Sequence, residues 1–164
     1  MRTLIGGVGY SYLRDGSLGP LVVAELAREA WPDGVLVEDL SYGPIAVMQR
    51  LQDAVPPFDR LVLVAAVRRG QAPGTVTMYH WDHRLPDAVE IQARVAEAVT
   101  GVISLDNLLV VAGFFKALPP DVSVLEVEPL DEGWGEGLSH VVEAAWPRVI
   151  DTLRDLADAK TAPA

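Results

Sequence analysis

The chain has no cysteine, which excludes disulfides, thiolate metal centres and thiol nucleophiles together. Positive charge is scarce: 13 Lys and Arg stand against 23 Asp and Glu, for a formal net charge of −10. Nucleic-acid binders carry a basic stripe, and none is visible, so that class is set aside. No apolar run approaches the roughly 20 residues needed to cross a bilayer, so no membrane contact is expected. The first residues run straight into a strand-like segment without the basic-then-apolar pattern of a secretory signal, and the expected location is cytoplasmic. Low-complexity tracts are missing too. With half its residues apolar and 22% charged, the chain has the make-up of a folded domain. Its 164 residues suit a single domain over 1–160, with 161–164 a frayed tail.

What is present is organised around the stretch Leu4 to Gly19: a buried strand, a glycine-rich turn, a loop with one acid (Asp15) and the start of a helix. Thr3 to Val8 reads as the first strand and Leu18 to Ala30 as the first helix, with Leu18, Val22 and Leu26 inward. Pro20 is tolerated in a first helical turn. Val35 to Leu40 is the second strand, and Gly43 to Asp53 the second helix. Leu61 to Val67, apolar on both faces, reads as a central parallel strand. After a polar turn at Arg68 to Gly74, Thr75 to His80 alternates as a strand near a sheet edge. Its short link to the third strand suits an antiparallel neighbour. Two helices follow, one with Ile91, Val95, Ala98 and Val102, the other opening at Ser104 to Asn107. Val122 to Val127 is the fifth strand. A last helix from Leu138 to Leu156 should be kinked or divided by Pro147. The order β-α-β-α-β-β-α-α-β-α predicts an α/β fold: a three-layer α/β/α sandwich on a mostly parallel five-stranded sheet with one antiparallel edge strand.

In such a sheet, function lies beyond the carboxyl ends of the strands. The first of these loops holds Tyr10, Arg14 and Asp15. The second holds Glu38, Asp39, Ser41 and Tyr42, and the third Ala65, Ala66, Arg68 and Arg69; Asp106 is the further acid placed to face them. Gly7-Val8-Gly9 followed by Glu38 is a partial dinucleotide fingerprint, but Tyr12 stands where the third glycine belongs, and a tight strand-ending turn accounts for the glycines without a ligand. His80-Trp81-Asp82-His83 offers two imidazoles and an acid for a divalent ion if a turn gathers them, against solvated loop residues as the plainer reading. His140 suits a surface position. Ser11, Ser17 and Ser41 lie outside any nucleophile elbow. Phe114, Phe115 and Trp146 fall at helical spacings that suit core packing, while Trp81 and Trp134 could be either buried or exposed contact anchors.

Gly7-Val8-Gly9-Tyr10-Ser11-Tyr12-Leu13-Arg14-Asp15-Gly16-Ser17-Leu18-Gly19 resembles, in register and without a gap, the opening motif of the hydrogenase maturation endopeptidases (Gly-x-Gly-Asn-x-Leu-x-x-Asp-Asp/Glu-Gly-x-Gly). Asp39 to Gly43, the run Asp59 to Val67 with Ala72-Pro73-Gly74-Thr75, Ser104 to Leu108, and Gly137 to Pro147 extend the likeness over nearly the whole chain. The resemblance implies a nickel-dependent protease that trims the large-subunit precursor of nickel–iron hydrogenases. Its metal ligands are the second acid of the first loop, an aspartate ending strand three and a histidine of the segment at 104–106. Those positions here are Gly16, Ala65 and Asp106, and Tyr10 replaces the motif's asparagine. The resemblance therefore implies a substrate cleft at Tyr10, Asp15, Gly16, Asp39, Gly43, Ala65 and Asp106. It implies nickel only if Asp15, Asp106, His80 or His83 rebuilds the site. Three functions stay open: a precursor-binding maturation factor with reduced or no peptidase activity, an endopeptidase with an unorthodox metal site, and a small-molecule or nucleotide binder on the same scaffold.

Overall fold

The computed structural model describes residues 1–159; the predicted tail at 161–164 lies outside them. Strands β1 (Thr3–Gly7), β2 (Val35–Asp39), β3 (Arg60–Ala66), β4 (Val76–His80) and β5 (Asp121–Val127) form one sheet, with helices α1 (Leu18–Leu26), α2 (Pro44–Gln52), α3 (Ala88–Val99), α4 (Leu105–Phe114) and α5 (His140–Asp158) around it. The strand order is β2-β1-β3-β5-β4, parallel throughout except for the β4–β5 pair. The α/β architecture and its single antiparallel edge are as the sequence predicts.

Both faces of the sheet are covered, which explains why β3 is apolar at every inner position rather than alternating. Leu61 and Leu63 face one core with Leu4, Val122 and Val124, roofed by Val47 and Leu51 of α2 and Leu105, Leu108 and Leu109 of α4. Val62 and Val64 face the other, with Ile5 and Leu125, under Leu18, Val22 and Leu26 of α1 and Val142, Val149 and Leu153 of α5. α3 packs outside α4 and buries only Ala98 fully.

Three local expectations are corrected and one is narrowed. The antiparallel partner of β4 is β5, not β3: β5 arrives later in sequence and inserts between them. The first helix stops at Leu26 rather than Ala30, because the Trp31 indole donates to the Leu26 carbonyl at 2.8 Å and turns the chain. Of the two outcomes expected at Pro147, division does not occur: α5 runs through it as one element. Phe114 and Phe115 are nearly half exposed, at 47% and 45%, and stack edge-to-face on each other instead of entering the core. They sit where α4 ends and Lys116 turns the backbone at φ 57°. Trp146 does pack against the core under α5, and Trp81 is partly buried on the opposite face. Trp134 is exposed, as is His140.

Candidate functional site

The glycines after β1 are demanded by packing. A Cβ on Gly7 would come within 2.2 Å of the Gly19 carbonyl oxygen, and one on Gly19 within 2.5 Å of the backbone of Val8. The first turn of α1 thus lies directly on the end of β1. The amides of the loop are also spent internally: Gly9 N donates to Ser41 Oγ at 3.1 Å and Tyr10 N to the Gly16 carbonyl at 3.0 Å. Amides so engaged are not available to cradle a phosphate, which favours the close-packed turn over the partial dinucleotide fingerprint.

Asp15 is fully buried and holds two loops together. Its carboxylate accepts from the amides of Leu130 (2.8 Å), Asp131 (2.9 Å) and Ser139 (2.7 Å) and from the Ser139 hydroxyl (2.7 Å). Burial alone would raise its pKa; the four donors outweigh that and hold it below the usual carboxylate value. Ser139 is the cap residue of α5, so the charge also sits favourably at a helix amino terminus. Beside it, Leu13 and Gly135 form a β-bridge, closed by Gly135 N to the Tyr12 carbonyl and Arg14 N to the Gly135 carbonyl. Asp15 therefore joins the β1–α1 loop to the β5–α5 loop and has no oxygen left facing a cleft.

The other predicted site residues gather at the carboxyl end of β3. Tyr10 reaches from the first loop to the turn before α4, its hydroxyl accepting from Ile103 N at 2.8 Å. Gly43, at the start of α2, lies against Gly101 of that same turn, and Asp39 caps its own loop by accepting from Ser41 N. Gly16 faces Glu132, whose carboxylate takes the Arg68 guanidinium at 2.6 Å. Ala65 is buried at the end of β3 and pairs in register with Glu126 of β5. Asp106, in the first turn of α4, is gripped by both terminal nitrogens of Arg69 at 2.9 and 2.8 Å.

Arg69 also donates to both oxygens of Glu126, at 3.0 and 2.7 Å, and Tyr79 donates to Glu126 at 2.8 Å. These bonds raise the guanidinium pKa above its ordinary value, hydrogen bonding to Glu126 being the largest cause. Burial first, and the bond to Glu126 second, push the Tyr79 hydroxyl up as well, so it stays protonated. The two consecutive arginines leaving β3 thus each close an ion pair on a different side, one beside Gly16 and one beside Ala65.

His80 and His83 are not brought to these residues. His80 lies at the far end of β4, opposite Ser123, with Nδ1 3.1 Å from Ser123 Oγ; His83 Nε2 is 3.0 Å from the Pro120 carbonyl. Both therefore sit towards the amino end of β5. From Ser123 to Glu126 is already about 10 Å of strand.

No protein-family model matches the sequence, and no curated protein matches it. Solved structures do match. The hydrogenase 2 maturation peptidase of a Thaumarchaeota archaeon superimposes with a TM-score of 0.68 at 23% identity, over 98% of this chain and 100% of the other. The hydrogenase maturating endopeptidase HybD of Escherichia coli gives 0.65 at 25% identity, over 95% and 94%. The nickel–iron hydrogenase maturation protease HycI of Thermococcus kodakarensis gives 0.62 at 17%, over 96% and 93%. The fold is that of the hydrogenase maturation endopeptidases.

On this endopeptidase fold, Glu126 and Tyr79 are the members of the cluster that the sequence does not single out, and Arg69 is one it places only among the loop positions after β3. The signal was there in part: Val122, Val124 and Glu126 alternate along one side of β5, so an acid occupies a position that should be apolar, and a second acid, Glu128, follows just past the strand's end. Glu128 accepts from the amides of Arg69 (2.7 Å) and Gly70 (3.2 Å), so both acids serve the loop that follows β3.

Proposed function

We propose that this protein serves hydrogenase maturation by binding a large-subunit precursor in the manner of the maturation endopeptidases, without their nickel-dependent cleavage. The fold over nearly the full chain length supports the maturation role. The absence of peptidase chemistry rests on one observation, the state of the three positions that the sequence resemblance aligns with metal ligands. Gly16 and Ala65 carry no donor, and Asp106 has both oxygens committed to Arg69. Among the described residues, no three His, Asp or Glu side chains stand close enough to share an ion. Nickel does not fit this set. A divalent ion placed here would meet a fixed guanidinium before it met a ligand, and the like charges repel. What remains is a recognition surface: the loops carrying Tyr10, Asp39 and Gly43, with the exposed Trp134 beside the Leu13–Gly135 bridge. An aromatic anchor next to a rigid loop is the kind of feature on which interface energy concentrates.

The test mixes the purified protein with a nickel-loaded hydrogenase large-subunit precursor. The expected result is a complex that co-elutes in gel filtration while the precursor keeps its full mass. Cleavage that disappears with Asp106→Ala would refute the non-catalytic reading, and the absence of any complex would refute the maturation role.

A further inference from the structure

The two edges of the sheet are built differently. β2, at one edge, carries Glu38 and Asp39, and acids on an edge strand repel a second copy of the same chain. β4, at the other edge, reads Val-Thr-Met-Tyr-His and holds neither the charge nor the proline that keeps natural edges apart. From Gly70 to Trp81 no Lys, Arg, Asp or Glu occurs, in a chain whose net charge is −10. The direction of the backbone groups on β4 is fixed by the bonds at its two ends. Trp81 N donates to the Val122 carbonyl at 2.8 Å, and the Thr75 carbonyl accepts from Glu128 N at 2.9 Å. Thr77 and Tyr79 therefore turn their N–H and C=O groups towards β5, and Val76, Met78 and His80 turn theirs away from it. Among the described residues, β5 is the one strand paired with β4. Val76 packs against the core under α1 and α5, and Met78, next along the same side of the strand, is 45% exposed.

We infer that β4 is a self-association edge, on which a second copy of this chain lays its own β4 antiparallel about a two-fold axis through Met78. A patch that meets its own copy must be self-complementary. With Met78 opposite Met78, Val76 of each copy stands opposite His80 of the other, and the outward N–H and C=O groups of all three residues find partners. Charge selects this occupant. Two chains of the same strong negative charge repel over most of their surfaces, and an uncharged edge is where they approach with the least repulsion. The two five-stranded sheets become one continuous sheet. The two-fold reverses strand direction, so the carboxyl ends of β1 and β3, with the candidate site, lie at opposite ends of the dimer and both stay open. Five residues a side are few beside the roughly 20–30 of a stable interface, so the dissociation constant is expected at about 10⁻⁵–10⁻⁴ M. The inference stands on the sheet and its charges and does not depend on the hydrogenase reading.

The experiment follows the native protein by sedimentation velocity from about 10 to 500 µM, a range that brackets the expected constant. The mass is expected to rise from one chain to two, and Met78→Lys, which puts a charge at the two-fold, to weaken association at least tenfold. A second measurement does not rely on that variant folding. The chain has no cysteine, so Met78→Cys carries a single thiol. Residues facing each other in a hydrogen-bonded antiparallel pair have Cα atoms about 5.5 Å apart, within disulfide reach. Mild oxidation should link Met78→Cys into a dimer and leave Val99→Cys as monomer, although Val99 is the more exposed of the two at 69%. A native chain that stays monomeric at every concentration, association unchanged in a folded Met78→Lys, or equal cross-linking of the two cysteine variants would each overturn the inference. So would a monomer whose Met78→Cys thiol is shielded from alkylation only when a hydrogenase large-subunit precursor is added, since the edge then serves a strand of another protein.

Discussion

Asp15 is the acid that sequence resemblance places in the cleft and that the structure makes a structural anchor, and the two roles predict opposite outcomes for its removal. Asp15→Ala leaves three amides and one hydroxyl without their acceptor, in a position where the carboxylate is completely buried. An unsatisfied buried donor costs about 1–3 kcal/mol, less where water can enter, and the β5–α5 loop lies at the surface. The sum is about 3–5 kcal/mol. In a domain of this size that lowers the melting temperature by about 6–20 °C. Asp15→Asn should lose less, about 1–3 kcal/mol. Its amide oxygen can serve Leu130, Asp131 and the Ser139 hydroxyl, but its NH₂ must then face the Ser139 amide, donor against donor.

Urea unfolding followed by circular dichroism measures the order native, Asn, Ala, with an unchanged slope showing that the same surface is exposed. Acid titration supplies a second reading. The folded pKa is depressed, so the carboxylate contributes stability that is complete above the ordinary carboxylate range. That stability drains away as pH falls through about 4 towards the folded value. Asp15→Asn should remove that part of the acid limb. A stable Asp15→Ala, within 1 kcal/mol of native, would refute the anchor and return Asp15 to the cleft as a free acid.

Two other perturbations test the frame around it. Gly19→Ala places a methyl 2.5 Å from the backbone N and O of Val8. It should cost about 3 kcal/mol or prevent accumulation of folded protein, read as lost expression or a lowered urea midpoint. Arg60, buried between β3 and the end of α5, bonds Asp121 at 2.6 Å and the carbonyls of Leu156 and Ala159 at 2.9 and 2.5 Å. Arg60→Ala should cost about 3 kcal/mol, the lower end for breaking a buried pair because Asp121 keeps partial access to water. Hydrogen exchange should show its last helical turn opening first.

The strands themselves were readable because burial on two faces writes itself into β3 as an unbroken apolar run, and into β1 as an apolar run cut by glycines. Helix ends were less readable. Trp31 ends α1 through an indole bond that no periodicity contains, and Phe115 continues the α4 spacing past the point where the helix has stopped. The partner of β4 could not be read locally, since a short link says only that two strands run antiparallel when they are neighbours. The site was legible as a set of loop positions and illegible as chemistry. Asp15 takes its partners from residues more than a hundred positions away, and nothing beside it in the chain marks it as an anchor. Glu126 was the nearest to a visible clue, an acid on the inward side of a core strand. Its meaning depended on Arg69, which resembles any turn residue until the fold brings the two together.

The place of β5 in the sheet bears on how the chain is made. β1, β2 and β3 can assemble as soon as the first part of the protein leaves the ribosome. β4 emerges next, yet it has no edge to join until α3 and α4 have also been synthesised and β5 has entered beside β3. For that interval two edges that the finished sheet pairs stand open, one on β3 and one on β4. Long-range pairing of this kind is slow and invites association with foreign strands. Completion of the sheet, and with it the meeting of Glu126, Arg69 and Asp106, is a late event in biogenesis, so shortening or mutating β5 should act on yield before it acts on function.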